Sequence, residues 1–296
     1  MRRGRRGSAL VSLMIALALS TGIALAAMRL IAQSSAQYQQ VEQLVLMEDQ
    51  AAYAIDLIGR ALQQAGHVDA TQPMAALPAR PFEGAVSAID DATVTAATPA
   101  IDVPVAGAHL GSDVLAIRFA GDAAGTVINC AGFSVPLALA GAVDKGFSIF
   151  HVALDAQDEP ELRCKYRGAS QWSSQAIATG VESFQVLFGI DTDGDGLPND
   201  FVSASRLAAL DAASVPSGLS IRTRIVAVHL ALLMCSPQPV KARPPLAIDL
   251  FGRLYGDRHA NDDPGTRIDP SRLKPGRLHR QYDAVIFLNN SLRPDA

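Results

Sequence analysis

Ser8-Ala-Leu-Val-Ser-Leu-Met-Ile-Ala-Leu-Ala-Leu-Ser-Thr-Gly-Ile-Ala-Leu-Ala-Ala-Met28 is the stretch that decides the fold. It carries no charge and follows Met1-Arg-Arg-Gly-Arg-Arg-Gly7, whose four Arg form a basic flank. An uncharged run of roughly 20 residues matches the thickness of a bilayer when helical, and the basic flank favours the cytoplasmic side. A cleaved export signal is the competing reading, with Ala24 to Ala27 imitating a small-residue cleavage site. The continuation argues against it. Beyond Arg29, apolar residues recur at Val41, Leu44, Val45, Ala51, Ala52, Ile55, Ile58, Leu62 and Ala65, which is helical spacing. No Pro or Gly interrupts the chain from Ile23 to Ile58, and Gly66 is a plausible stop. One helix from Ser8 to about Ala65 is expected, on the order of 85 Å long.

The remainder, residues 67–296, reads as a folded head. The 296-residue chain is 49% hydrophobic and 18% charged, which excludes a largely disordered protein. Its formal net charge is −4, and −8 once the four Arg before Ser8 are left out. Such a head is ill suited to coating a phosphate backbone, so direct nucleic-acid binding is not expected. Strand-like runs fall at 113–119, 147–154, 161–166, 183–190, 221–234 and 282–288, with a short helix at 203–213 capped by Ser203 or Ser205. Strands without βαβ alternation imply an α+β architecture, a long N-terminal helix packed on an antiparallel sheet. Residues 68–104 read as an irregular connection. Residues 236–281 hold nine Lys or Arg against five Asp and read as a long solvated loop, or else as a docking surface for an acidic partner or DNA.

Of the three cysteines, Cys130 and Cys164 are expected to bridge in an exported domain, leaving Cys235 as a free thiol. Asp191-Thr-Asp193-Gly-Asp195-Gly196-Leu-Pro-Asn199-Asp200 sets alternating carboxylates in a tight loop. Hard oxygen ligands at this spacing suit Ca²⁺, with Asp191, Asp193, Asp195, the Leu197 carbonyl, and Asn199 or Asp200 as candidates. Val202 stands where an EF-hand has its bidentate Glu, which lowers the expected affinity. An Asp/Gly turn without metal is the competing reading. The six His are scattered, and no zinc pairing, nucleophile elbow, phosphate loop or Cys-x-x-Cys occurs, so no enzyme is expected.

Gly7 followed by Ser8-Ala-Leu-Val-Ser12-Leu-Met-Ile-Ala-Leu17 resembles the class III signal of type IV prepilins. The resemblance implies a leader of residues 1–7, cut by prepilin peptidase after Gly7, and methylation of Ser8. It implies residues 8–66 as a helix retained in the inner membrane, with the head in the periplasm or, after assembly, on the pilus. The family usually has Glu at the fifth mature position, where this chain has Ser12. In the head, Gly111-Ser-Asp-Val-Leu-Ala-Ile-Arg118, Asn129-Cys130, Cys164, Trp172, Gly180-Val-Glu-Ser-Phe-Gln-Val-Leu-Phe-Gly189 and the Asp-rich loop are similar to PilW-type minor pilins. That implies a structural subunit of a pilus assembly, priming or tip complex, with other minor pilins and the major pilin as partners and twitching motility as one downstream role. A J-type pseudopilin of type II secretion and a calcium-dependent, signal-anchored surface adhesin are the alternatives.

Overall fold

The first element, α1, runs unbroken from Arg5 to Gln63 in the computed structural model, which describes residues 5–67, 85–137, 146–168, 170–214, 220–240 and 247–289. Its two halves have opposite surroundings. Leu10, Met14, Leu17, Ile23, Leu25 and Ile31 are all more than half exposed, whereas Met47, Ala51, Ala54, Ile58, Ala61, Leu62 and Ala65 are buried. Apart from the adjacent pair Ala61 and Leu62, the second set advances by three or four residues and so forms one stripe. Four of its members are Ala, which lets the sheets approach closely. Gly59 also faces the second sheet, where a Cβ would stand at ordinary contact distance, 3.5 Å, from Ile286 Cδ1. Gly66 ends the helix at φ 68°, and its N–H donates to the Arg118 carbonyl at 2.9 Å.

Strands β1 (Val86–Ile89), β2 (Ala92–Thr93), β3 (Val105–Ala106), β4 (Val114–Phe119), β5 (Gly146–Leu154), β6 (Pro160–Arg167) and β7 (Trp172–Thr179) follow. Then come β8 (Val181–Ile190), β9 (Asp200–Val202), α2 (Ala204–Ser214) and β10 (Ile225–Cys235). The chain continues with β11 (Ile248–Asp249), α3 (Arg253–His259), β12 (Arg267–Ile268) and β13 (His279–Phe287). Two antiparallel sheets result, ordered β1-β4-β5-β6-β7 and β13-β10-β8-β9, so Gly180 is where the chain steps from one to the other. The main core joins the α1 stripe to Leu115, Ile117, Phe150 and Leu162 of the first sheet and to Phe184, Phe188, Leu230 and Leu232 of the second. The expected α+β fold, a long N-terminal helix on antiparallel strands, is what the structure has, although the strands form two sheets.

Several boundaries differ from the sequence expectations. The 68–104 segment was expected to be irregular, yet β1 pairs with β4, and Ala92 and Val94 cover Val114, Ala116 and Ile149 on the outer side of the first sheet. Strand β7 was not expected at all; its sequence is polar because it is an edge strand with little to bury. The expected strand 221–234 begins at Ile225, after a 3₁₀ turn over Ile221–Arg224. At α2, the Ser203 hydroxyl accepts from Arg206 N–H at 3.4 Å, and Asp90 adds two bonds to the Ala204 and Ser205 N–H groups at 3.0 and 2.8 Å.

The largest correction concerns 236–281, expected as a solvated loop. It carries β11, α3, β12 and a second apolar cluster. Ile248, Leu250, Ile268 and Leu273 lie on Ala231 and Leu233 of β10, together with Leu110. Strand β10 is therefore covered on both faces, which is why Ile225–Cys235 is an almost continuous apolar run. Among the described residues, three of the basic side chains are spent inside the fold. Arg267 pairs with Asp249 at 2.6 Å and with Asp257 at 2.6 Å, and Lys274 and Arg277 both pair with Glu159, at 3.2 and 2.7 Å.

Leu250 is fully buried in the second cluster. Leu250→Ala is expected to destabilise the head by about 2–5 kcal/mol, read as a lower denaturation midpoint. A change within error would return the segment to the surface-loop reading.

Candidate functional site

Strand β8 ends at Ile190, and the Asp-rich loop fills the gap before β9. Asp191 is buried and accepts from Gly194 N–H at 2.6 Å and Gly196 N–H at 2.8 Å. Burial alone would raise its pKa, but these backbone donors outweigh that and hold it below the usual carboxylate range. Both glycines have positive φ, 86° and 85°, the conformation that turns their N–H groups inward. Carboxylate oxygens of Asp191, Asp193 and Asp195 lie within 4.8 Å of one another. The other sequence candidates sit differently. The Asn199 carboxamide oxygen accepts from Thr192 N–H at 2.6 Å, and its nitrogen donates to Asp193 Oδ2 at 3.1 Å. Asp200 opens β9, with its Oδ1 accepting from Phe201 N–H at 2.9 Å, and the Leu197 N–H donates to Asp195 Oδ1 at 2.7 Å.

Cys130 and Cys164 form the expected disulfide, with Cα atoms 6.0 Å apart, and Cys235 is free and buried. Burial pushes the Cys235 thiol up to about 12, and nearby Glu182 adds to the rise, so the thiolate is scarce at neutral pH. The disulfide ties the 120–137 loop to β6, and beside it opens a cavity of about 570 Å³ that the sequence did not reveal. Asn129, Phe133, Tyr166, Arg167, Gln171 and Ser173 are among its lining residues. The Phe133 and Tyr166 rings stand 5.4 Å apart. The two cysteines were the only sequence signal that these distant loops meet. Trp172 sits close by but packs inward, edge-on to Phe147 at 5.2 Å and under Lys165 Nζ at 5.3 Å.

Ser12 lies in the bare half of α1, and Gly7 and Ser8 lie in its first turns. From Ala9 onward α1 is apolar and long enough to cross a membrane, with mean hydropathy 2.2 over its most apolar window. That is compatible with a single-pass anchor.

A long N-terminal helix, bare and apolar at first and then packed on antiparallel sheets, defines a pilin-like protein. Residues 149–290, from β5 through β13, match the family of type IV pilus-assembly protein W. Over that region the chain is similar to the PilW-type pilins, structural and non-enzymatic subunits related to type IV pili. Among solved structures, a type IV-like pilin from Thermus thermophilus aligns over 82% of this chain and 97% of that chain, at 12% identity and TM-score 0.36. No curated protein matches the sequence.

Buried charge inside the PilW-matching region sets a pH dependence. Asp263 is 2% exposed and accepts from the Tyr255 hydroxyl at 2.8 Å. Burial pushes its carboxyl up to about 7; Tyr255 holds it down somewhat, while Asp90 and Asp262 add to the rise. The folded state thus keeps a proton that the unfolded chain releases near pH 4. Stability is full below that pH and falls as pH rises towards 7, by about 4 kcal/mol at most. Asp263→Asn is expected to flatten this slope, measured as denaturation midpoints at pH 4.5 and 7.5. An unchanged slope would remove Asp263 as its source.

Proposed function

We propose that the protein is a minor pilin of the complex that initiates or caps a type IV pilus. The single observation carrying this reading is Ser12 on a PilW-type chain. In a filament shaft, a carboxylate at this position neutralises the N-terminal ammonium of a neighbour within an apolar surround. An unpaired ammonium there is costly. A subunit without the carboxylate fits best where few neighbours need pairing, at an end of the filament. The exposed apolar half of α1 supports contact with lipid before assembly and with other pilin helices after it, where small Ala, Ser and Gly residues allow close approach.

On this reading, cleavage follows Gly7, Ser8 is the methylated first mature residue, and the head faces the periplasm before assembly. N-terminal sequencing of the membrane-bound protein is expected to begin at methylated Ser8. A start near Ala27 would instead make it a secreted head without an anchor. Ser12→Glu is expected to let the subunit enter the shaft, changing both the number of pili per cell and its crosslinks to the major pilin. If both stay as in the native protein, the end-of-filament assignment fails.

The Asp-rich loop is proposed as a weak Ca²⁺ site. Three carboxylates already share one side of the loop, and their hard oxygens suit Ca²⁺. Asp191, Asp193 and Asp195 would hold the ion, which would screen their mutual repulsion and order the turn between β8 and β9. Calorimetric titration is expected to show millimolar binding that Asp193→Asn abolishes. No heat at millimolar Ca²⁺ leaves the loop as a metal-free Asp/Gly turn.

A further inference from the structure

The cavity beside the disulfide has one wall from the 120–137 loop and the other from the end of β6 and the turn after it, and the Cys130–Cys164 bond clamps the two together. Asn129 adjoins Cys130 on one wall, and Tyr166 and Arg167 follow Cys164 on the other. Its position on the head is set by α1. The helix ends where Gly66 and His67 bond to Arg118 and Ala120, and the 120–137 loop leaves from that same place. Lower down the helix, Gln43 and Gln50 receive Gln238 N–H and Thr179 N–H, at 3.1 and 3.3 Å. Thr179 ends β7, whereas the cavity lies at its start, about 23 Å away along the strand. The cavity therefore belongs to the end of the head remote from the apolar half of α1.

Its lining has a distinct chemistry. Phe133 is 55% exposed and stands outside the main core, and with Tyr166, which leans on that core from the other side, it presents an aromatic wall. The Asn129 carboxamide oxygen is taken by Ala131 and Phe133 N–H groups, at 2.9 and 3.1 Å, which fixes the side chain and leaves its NH₂ without a partner. Among the described residues, the side chains of Tyr166, Arg167, Gln171 and Ser173 likewise have no hydrogen-bond or ionic partner inside the chain. Arg167 is the one charged lining residue.

We propose that this cavity is a saccharide site that takes one or two rings of an acidic sugar. The apolar face of a sugar ring covers Phe133 and Tyr166, and its hydroxyls meet the Asn129, Gln171 and Ser173 groups. Its carboxylate pairs with Arg167 in the bidentate manner guanidinium favours. The volume lies within the range of small-molecule sites. A wholly apolar ligand would strip water from five unpaired polar side chains without replacing those bonds. A nucleic-acid strand would need a run of cations to track its phosphates, and the cavity has one. Clamping by the disulfide holds both walls before the ligand arrives, so little ordering is left to binding.

The test uses the full chain in detergent, titrated calorimetrically with a hyaluronan tetrasaccharide and, separately, with an acidic hexapeptide. Phe133 and Arg167 are exposed, so Phe133→Ala and Arg167→Gln are expected to fold as the native protein does. Saturable binding of the tetrasaccharide, weakened at least tenfold by either substitution and unchanged by Leu254→Ser on α3, is the expected result. Absence of saturable binding up to 10-millimolar-order ligand (~10 mM, weaker than the affinities expected of specific sites) would overturn the proposal. So would binding that survives both substitutions, or Phe133-dependent binding of the hexapeptide in preference to the sugar.

Discussion

A 59-residue helix can pack only part of its length on a head of this size, and α1 divides its surface accordingly. From Met47 to Ala65 a stripe of mostly small residues meets two sheets, while the large apolar side chains from Leu10 to Ile31 stay more than half exposed and join none of the core clusters formed by the described residues. Exposed apolar surface on that scale is not stable in water. The bare half is therefore compatible with a membrane anchor, and the packed half requires a head whose strands come close enough to use Ala. Ala51 and Ala54 are small for that reason, and the seam they form with Gly59 sets the position of β13 and with it the second sheet.

The head follows from that seam in layers. Each sheet turns one face to the main core and needs a cover on the other. The segment around Ala92 and Val94 covers the first sheet, and the segment from Ile248 to Leu273 covers the second. Both covers are short on regular structure, and they are held by side chains. Asp113 shows how, accepting from Val186 N–H at 2.9 Å and Asp91 N–H at 3.2 Å, so one carboxylate joins β8 to the first cover. Burial raises its pKa well above the ordinary value, with Asp90 and Asp263 adding to the rise. A buried group of this kind orders its surroundings only while its bonds are made. Glu182 is the opposite case. Burial would raise it, but His109 Nε2 at 2.8 Å and His279 Nε2 at 3.7 Å bring it down to about 2.

How much of this was legible in the sequence depended on how local each signal was. The helix was readable because its period repeats over some fifty residues, and β4, β5, β6, β8, β10 and β13 because each has a run of apolar or branched residues. Strand β7 was not, since Trp172-Ser-Ser-Gln-Ala-Ile-Ala-Thr179 is the sequence of an edge that buries little. The second cover was missed because its apolar residues are scattered among Pro, Gly and charge. The signal that demanded it lay elsewhere, in the unbroken apolarity of Ile225 to Cys235. The Asp-rich loop was visible because three of its carboxylates, Asp191, Asp193 and Asp195, fall within five residues. The disulfide-side cavity was invisible because its walls are more than thirty residues apart in the chain.

That contrast bears on where a pilin-like fold keeps its individuality. The α1 seam and the inner faces of the sheets are constrained by packing, so a changed residue there disturbs the whole head. The two covers and the loops at the far end of the head answer to fewer neighbours. They can carry an acidic turn at Asp191–Asp195 or an aromatic wall at Phe133 and Tyr166 without moving the strands beneath. The disulfide makes this possible at the cavity, because it replaces the apolar contacts that would otherwise be needed to hold two polar loops together. Polar side chains at the cavity are then left facing outward unpaired, and on the saccharide proposal these are the groups a ligand would meet.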